Sequence, residues 1–289
     1  MATATVLGLQ IAYDVVGDVS NDAGRSWAIT PGGRFSKDAA GIRELAEALA
    51  ERGHRVLIWD RPNCGESDVC FTGDSESQMQ ADVLIGLLEQ LDMTPAVIMG
   101  GSGGARVSLL AAARHPEATA GVAMLNMSGG VYGLMTLGVH YCGGSLAAAW
   151  TKDMAAVADL SEWSEVIARN PRNRQLFLDQ DRKEFVATME RWMAAYCYRD
   201  DELVPGLSND EARAVGVPAL VFRSGESDVN HTRATSERIA ALLPNAMLVE
   251  PPWGDTEWNE RMAEGAAGLF KRWPLIAPQL DDWAREARG

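Results

Sequence analysis

The chain has 289 residues, 47% hydrophobic and 23% charged, which is enough apolar material for a sizeable core and too much for a disordered chain. Its 26 Lys and Arg against 40 Asp and Glu leave a net charge of −14. That balance excludes nucleic acid and anionic membrane surfaces as main partners, because both require a basic face.

Strand-like runs alternate with helical patterns, the order that builds a parallel sheet with helices on both faces. Val6 to Val16 reads as an opening strand pair, and Ser26 to Thr30 as a short buried strand ending at Pro31-Gly32-Gly33. Ile42 to Ala50 has apolar residues at helical spacing, with Gly53 placed to stop it. Arg55 to Trp59 is the next strand, followed by a polar loop from Asp60 to Ser67 and a helix through Gln80 to Leu91. Ala96 to Met99 is a strand, Gly100 to Gly104 a tight bend, Ala105 to Ala113 a helix and Gly121 to Leu125 a strand.

From Val131 to Leu203 the pattern changes to amphipathic helices, Leu146 to Leu160 and Glu184 to Tyr196, with no convincing strand. This predicts a helical cap over residues 131–203, inserted in a core made of 1–130 and 204–289. Trp150, Trp163 and Trp192, with Met154, Met189 and Met193, suggest an apolar underside to that cap. Strands return at Ala219 to Phe222 and Ala246 to Val249, with a helix over Ser236 to Leu243 between them. A terminal helix is predicted over Glu260 to Trp273, then a tail in which Leu280 and Trp283 dock on the core.

Gly100-Gly101-Ser102-Gly103-Gly104 fits G-x-S-x-G between a buried strand and a helix. A serine at the apex of such a bend is presented at the sheet edge, and the amide of Gly103 lies at the positive end of the helix that follows. A phosphate-binding G-x-G-x-x-G fits less well, since the third glycine position is Arg106.

On these residues the chain resembles the α/β-hydrolase superfamily, specifically its lid-bearing members that cleave esters, lactones, epoxides, carbon–halogen or carbon–carbon bonds. Three further segments carry the resemblance. Thr30-Pro31-Gly32-Gly33 matches the oxyanion loop, with Pro31 where the family has His. Asp60 to Ser67 is similar to D-x-R-G-x-G-x-S, with Asn63 for the usual Gly, and Gly225-Glu226-Ser227-Asp228 is similar to the segment that supplies the acid. The resemblance implies an eight-stranded, mostly parallel sheet with helices on both faces and a helical cap. It also implies Ser102 as nucleophile, Gly33 and Gly103 as oxyanion donors and Asp228 as acid.

The family's general base is a His after the last strand, in a Gly-His pair. Here Gly254-Asp255 occupies that slot, so the expected base is the Asp255 carboxylate. Two carboxylates in one water-poor site would share a proton and titrate near neutrality. Of the four histidines, His54 and His115 fall on the far side of the sheet and His140 in the insert. His231, three residues after Asp228, is the one that can substitute for the missing base; otherwise it caps the following helix.

Arg34 and Trp253 are candidate substrate contacts; Arg34 and Arg106 suit an acidic group or a local carboxylate, while Trp253 and Trp258 bracket Asp255. Asn126 ends a strand near the pocket, and Asn170 to Arg174 reads as an anion contact or a solvated loop. The expected function is hydrolysis of a small apolar or aromatic carbonyl compound, an ester, lactone or β-dicarbonyl. Two other readings stay open, a cofactor-free lyase, decarboxylase or isomerase on the same scaffold, and a non-catalytic receptor. Cys64, Cys70, Cys142 and Cys197 lack CxxC spacing, and no His/Cys/Asp cluster has ligand spacing, so neither metal nor cofactor is expected. Without a basic, apolar leader or a run of about 18 apolar residues, a cytoplasmic protein acting on a small molecule is expected, with the oligomeric state open.

Overall fold

The computed structural model describes residues 2–18, 24–265 and 268–287. Strands β1 (Ala2–Val6) and β2 (Leu9–Val16) form a hairpin. Both turn residues, Leu7 and Gly8, have positive φ, the twist that suits a two-residue connection. Then follow β3 (Ser26–Thr30), α1 (Ile42–Ala50), β4 (Arg55–Trp59), α2 (Glu76–Gln90), β5 (Ala96–Gly101), α3 (Gly103–Arg114) and β6 (Thr119–Leu125). α2 begins four residues before the predicted Gln80, because the Ser75 hydroxyl accepts from the Gln78 amide and caps it there.

After β6 the chain is helical: α4 (Gly130–Gly138), a π turn (Val139–Gly143), α5 (Gly144–Thr151), α6 (Met154–Ala158), α7 (Ser164–Arg169), α8 (Arg172–Leu178) and α9 (Arg182–Ala195). The predicted Leu146–Leu160 helix is split where Asp153 caps α6. A small hairpin, β7 (Glu202–Val204) and β8 (Leu207–Ser208), turns at Gly206 (φ +87°) and is too short to give a two-residue periodicity. Then come α10 (Asn209–Ala214), β9 (Ala219–Phe222), α11 (Arg233–Leu242), β10 (Ala246–Val249), α12 (Glu257–Ala263) and α13 (Ala277–Glu286).

Eight strands form one sheet in the order β1-β2-β4-β3-β5-β6-β9-β10, antiparallel over the first three and parallel beyond. Alternation along β4 splits the core. Val56 and Ile58 face α1 and α13, whereas Leu57 and Trp59 face the layer of α2 and α3. The inner strands β3 to β6 are buried on both faces and read as continuous apolar runs. Among the described residues no helix is long and apolar enough to cross a membrane.

The predicted Glu260–Trp273 helix is instead the short α12 and a 3₁₀ turn at Trp273–Ile276, with residues 266 and 267 of that span outside the described residues. The tail forms α13, whose Leu280 and Trp283 are buried as expected. His54 fastens it: the fully buried ring accepts from the Arg25 amide at Nδ1 (3.0 Å) and faces Asp281 Oδ1 at Nε2 (3.0 Å). The neutral ring with its proton on Nε2 satisfies both contacts. Burial holds the His54 pKa below the ordinary histidine value, despite the Asp281 carboxylate. The unfolded chain therefore takes up a proton, below about pH 6.5, that the folded one resists. His54 thus adds stability that is full above that pH and is lost as pH falls toward its folded pKa. Thermal melts should show a smaller drop in Tm from about pH 7.5 to 5.5 in His54→Gln than in the wild type.

Candidate active site

Ser102 sits between β5 and α3 with φ +53° and ψ −120°, left-handed backbone that costs a non-glycine residue about 1–3 kcal/mol. Its glycine neighbours make the bend possible. A Cβ on Gly100 would lie 2.5 Å from the Gly104 carbonyl carbon, and one on Gly104 only 2.1 Å from Thr30 O. A Cβ on Gly101 would meet the Trp273 ring at 2.5 Å. The strand, the helix and the Thr30–Gly33 loop therefore close on one another without side chains between them.

The β9–α11 loop brings the other polar groups. Asp228 Oδ1 accepts from the backbone amides of Asn230 and His231, both at 3.0 Å, and Oδ2 faces His231 Nδ1 at 2.8 Å. This contact assigns the ring proton to Nδ1 and leaves Nε2 as an acceptor, 2.9 Å from Ser102 Oγ. Asp228 and His231 are both buried, and the Trp258 ring stands edge-on to the imidazole with centroids 4.3 Å apart. Ser102 Oγ also lies 3.2 Å from the hydroxyl of buried Ser128, just after β6.

The expectation for Asp255 is corrected by this geometry. Its carboxylate is exposed and paired with Arg233, while its backbone oxygen accepts from Ser227 and its backbone packs against Gly225. Asp255 braces the β9–α11 loop from outside, and the group beside Ser102 is His231. Nor does His231 cap α11, since Thr232 holds that place.

Ser102 and His231 line a cavity of about 330 Å³ with Gly32, Gly33 and Asn126. Its apolar walls come from Phe35, Leu137, Tyr141, Trp258, Met262, Leu269, Phe270 and Trp273. Phe270 and Trp273 had no signal of their own, since they lay in what read as a terminal helix; Tyr141 and Ser128 were likewise unmarked by any spacing. His140 reaches the rim from the insert. Gly103 heads α3 beside Ser102, buried and outside the cavity lining, and a Cβ on it would be 3.7 Å from Gly33 N.

Arg34, expected to contact substrate, does not line the cavity. It pairs with Glu76 and lies over the Tyr141 and Trp163 rings, 5.1 and 4.6 Å from their centroids. Against the upward push of burial, Arg34 and Asn63 hold the Glu76 carboxyl below its ordinary value. Arg61 binds the Gly32 and Gly33 carbonyls, and Arg106 binds Ser77 and Tyr196. Trp253 also misses the cavity and packs against the core on the α13 side of the sheet.

The Asn170–Arg174 stretch is neither anion site nor free loop. Asn173 receives the Val69 amide (2.9 Å) and donates to Ser67 O (3.0 Å), while Arg172 and Arg174 pair with Asp68 and Asp159. Trp163 and Trp192 pack around Phe71 rather than facing the cavity, and Trp150 is exposed. Cys64 is fully buried, and burial pushes its thiol pKa up.

Residues 35–134 match the family described as alpha/beta hydrolase fold. Within the sequence, 91 residues are 33% identical to the 2-hydroxy-6-oxononadienedioate/2-hydroxy-6-oxononatrienedioate hydrolase of Escherichia coli K12, covering 32% of this chain and 31% of that protein. The chain thus spans about a third of the length of the curated relatives it matches. Over nearly the whole structure it resembles the enol-lactonase from Burkholderia xenovorans LB400, with TM-score 0.63, 20% identity, and 98% and 99% of the two chains covered. The meta-cleavage product hydrolase from Pseudomonas fluorescens IP01 is similar as well, with TM-score 0.61, 17% identity, and 99% and 98% covered. The sheet order, the helices on both faces and these likenesses together establish that the chain has the α/β-hydrolase fold.

Proposed function

We propose that this protein is a serine hydrolase of neutral, apolar or aromatic carbonyl compounds (esters, lactones or β-dicarbonyls), with Ser102 as nucleophile, His231 as base and Asp228 as acid. The observation that carries this reading is the run of contacts from Asp228 through His231 to Ser102, at 2.8 and 2.9 Å, opening on an apolar cavity. Ser102 Oγ attacks the carbonyl carbon while His231 Nε2 takes its proton, and the carbonyl electron pair moves onto oxygen. The amides of Gly33 and Gly103 receive that charge; neither has a backbone acceptor among the described residues. The carbon–leaving-group bond then breaks, and His231 returns the proton to the leaving group. Water repeats the sequence on the acyl-serine, releasing the acid and restoring Ser102. In this reading the helices of 131–203 act as a cap, with His140 and Tyr141 forming part of the pocket roof.

The test is intact mass after treatment with a fluorophosphonate, paired with turnover of a neutral aryl ester and a lactone. An adduct on Ser102 with turnover of either supports the reading. Turnover of a carbonyl substrate without an adduct means a lyase, and neither adduct nor turnover, with ligand-dependent thermal stabilisation, means a binder.

Charge narrows the substrate. The cavity lining contains no Lys or Arg among the described residues; Arg34 pairs with Glu76, while Arg61 and Arg106 bind neutral protein groups and keep Nε and Nη1, respectively, buried without a partner. A dioate such as the E. coli relative's named substrate would set its second carboxylate against a lining that carries no Lys or Arg. We expect kcat/KM for a neutral aryl ester to exceed that for a dioate by about 100-fold or more, measured side by side.

A further inference from the structure

The serine mechanism leaves one polar group in the cavity unused. Tyr141 stands on the π turn between α4 and α5. In that turn Tyr141 and Cys142 are buried, while Val139 and His140 are exposed, His140 at the rim of the cavity. The Tyr141 ring lies against Arg34, which Glu76 holds in place, with the Tyr196 ring 6.0 Å away. The guanidinium and the Tyr196 ring pack the Tyr141 ring, and the Tyr141 hydroxyl has no protein hydrogen-bond partner among the described residues.

That hydroxyl points to a specific place. A methyl-sized group on Gly103 would have three nearest neighbours, Arg61 Nη1 at 3.5 Å, Gly33 N at 3.7 Å and the Tyr141 hydroxyl at 3.7 Å. All three are hydrogen-bond donors, so the Tyr141 hydroxyl and the Gly33 amide gather near the head of α3 beside Ser102, and Tyr141, Gly33 and Ser102 line the same cavity. Three guanidinium groups, Arg34, Arg61 and Arg106, surround Tyr141 with Glu76 as the carboxylate among them, which favours negative charge at this point.

We propose that Tyr141 is a further catalytic residue: its hydroxyl donates a hydrogen bond to the oxygen that becomes negative when Ser102 attacks. The proposal rests on the serine-hydrolase reading and adds a third donor to the two backbone amides. Tyr141 keeps its own proton throughout. Burial pushes the phenol above its ordinary pKa, outweighing the pull of Arg106, Arg61 and Arg34, so it remains a donor at neutral pH. The helical segment would thereby supply part of the chemistry as well as the roof.

The experiment is Tyr141→Phe, which keeps the ring and its stacking and removes a hydroxyl that no protein group accepts. In the intact protein, kcat on a neutral aryl ester should fall about 10- to 100-fold with KM nearly unchanged, as for loss of one oxyanion donor. Affinity for an aryl trifluoromethyl ketone, whose adduct with serine carries the same negative oxygen, should fall by a similar factor. Tm should be unchanged and Ser102 should still take up the fluorophosphonate. An active wild type whose Tyr141→Phe variant keeps its kcat and ketone affinity overturns this proposal alone. A wild type with neither adduct nor turnover overturns the hydrolase reading and this proposal with it.

Discussion

His231→Ala should lower kcat on a neutral ester by about 10⁴- to 10⁶-fold, while Asp255→Asn changes it by less than about twofold. The contrast follows from placement. His231 Nε2 lies 2.9 Å from Ser102 Oγ and is the basic nitrogen left free once Nδ1 faces Asp228. Without it the serine hydroxyl has no acceptor able to take its proton at neutral pH. Asp255 is exposed and paired with Arg233, so removing its charge weakens a surface contact worth at most about 1 kcal/mol. Steady-state kinetics on both variants, with Tm as control, decide the matter. A large loss in Asp255→Asn with an indifferent His231→Ala would restore the carboxylate base.

A large effect on the fold is expected at Gly104. A Cβ there would lie 2.1 Å from Thr30 O and 2.6 Å from Pro31 O, both backbone atoms, so no side-chain rotation relieves the clash. Gly104→Ala must push the α3 terminus away from the β3 loop, which we expect to cost about 3 kcal/mol or more. Urea unfolding of Gly104→Ala beside Gly254→Ala measures this, because a Cβ on Gly254 meets nothing within 4 Å. The Gly254 variant should stay within about 0.5 kcal/mol of wild type. Any folded fraction of Gly104→Ala should also be nearly inactive, since the same displacement separates Gly33 from Ser102.

Where local pattern and burial agree, the sequence reads directly. β4, β9 and β10 run over the predicted residues because each is a short apolar run bounded by turn signals. Helix starts are harder: α2 begins at its Ser75 cap, well before its apolar periodicity becomes visible. The end of the chain was misread because Trp273 and its neighbours look helical, although the chain turns there to place Trp273 under Gly101. The tryptophans and methionines of the insert show the same limit. Helical spacing identifies an apolar face but not whether it meets a pocket or a neighbouring helix.

Within the site, sequence alone determined the bend that exposes Ser102, because glycines around a serine between strand and helix are a local requirement of backbone sterics. It also placed Asp228 and His231 three residues apart, close enough for one turn to join them. Which side chain reaches Ser102 was a tertiary decision: the contact spans 129 positions and depends on how β9 lies beside β6, and β6 beside β5. Asp255 follows the next strand in the sheet, and the packing of its loop on Gly225 turns the carboxylate outward to Arg233. Position along the chain says which loops gather at one edge of a sheet; only their packing sets which of their side chains point inward.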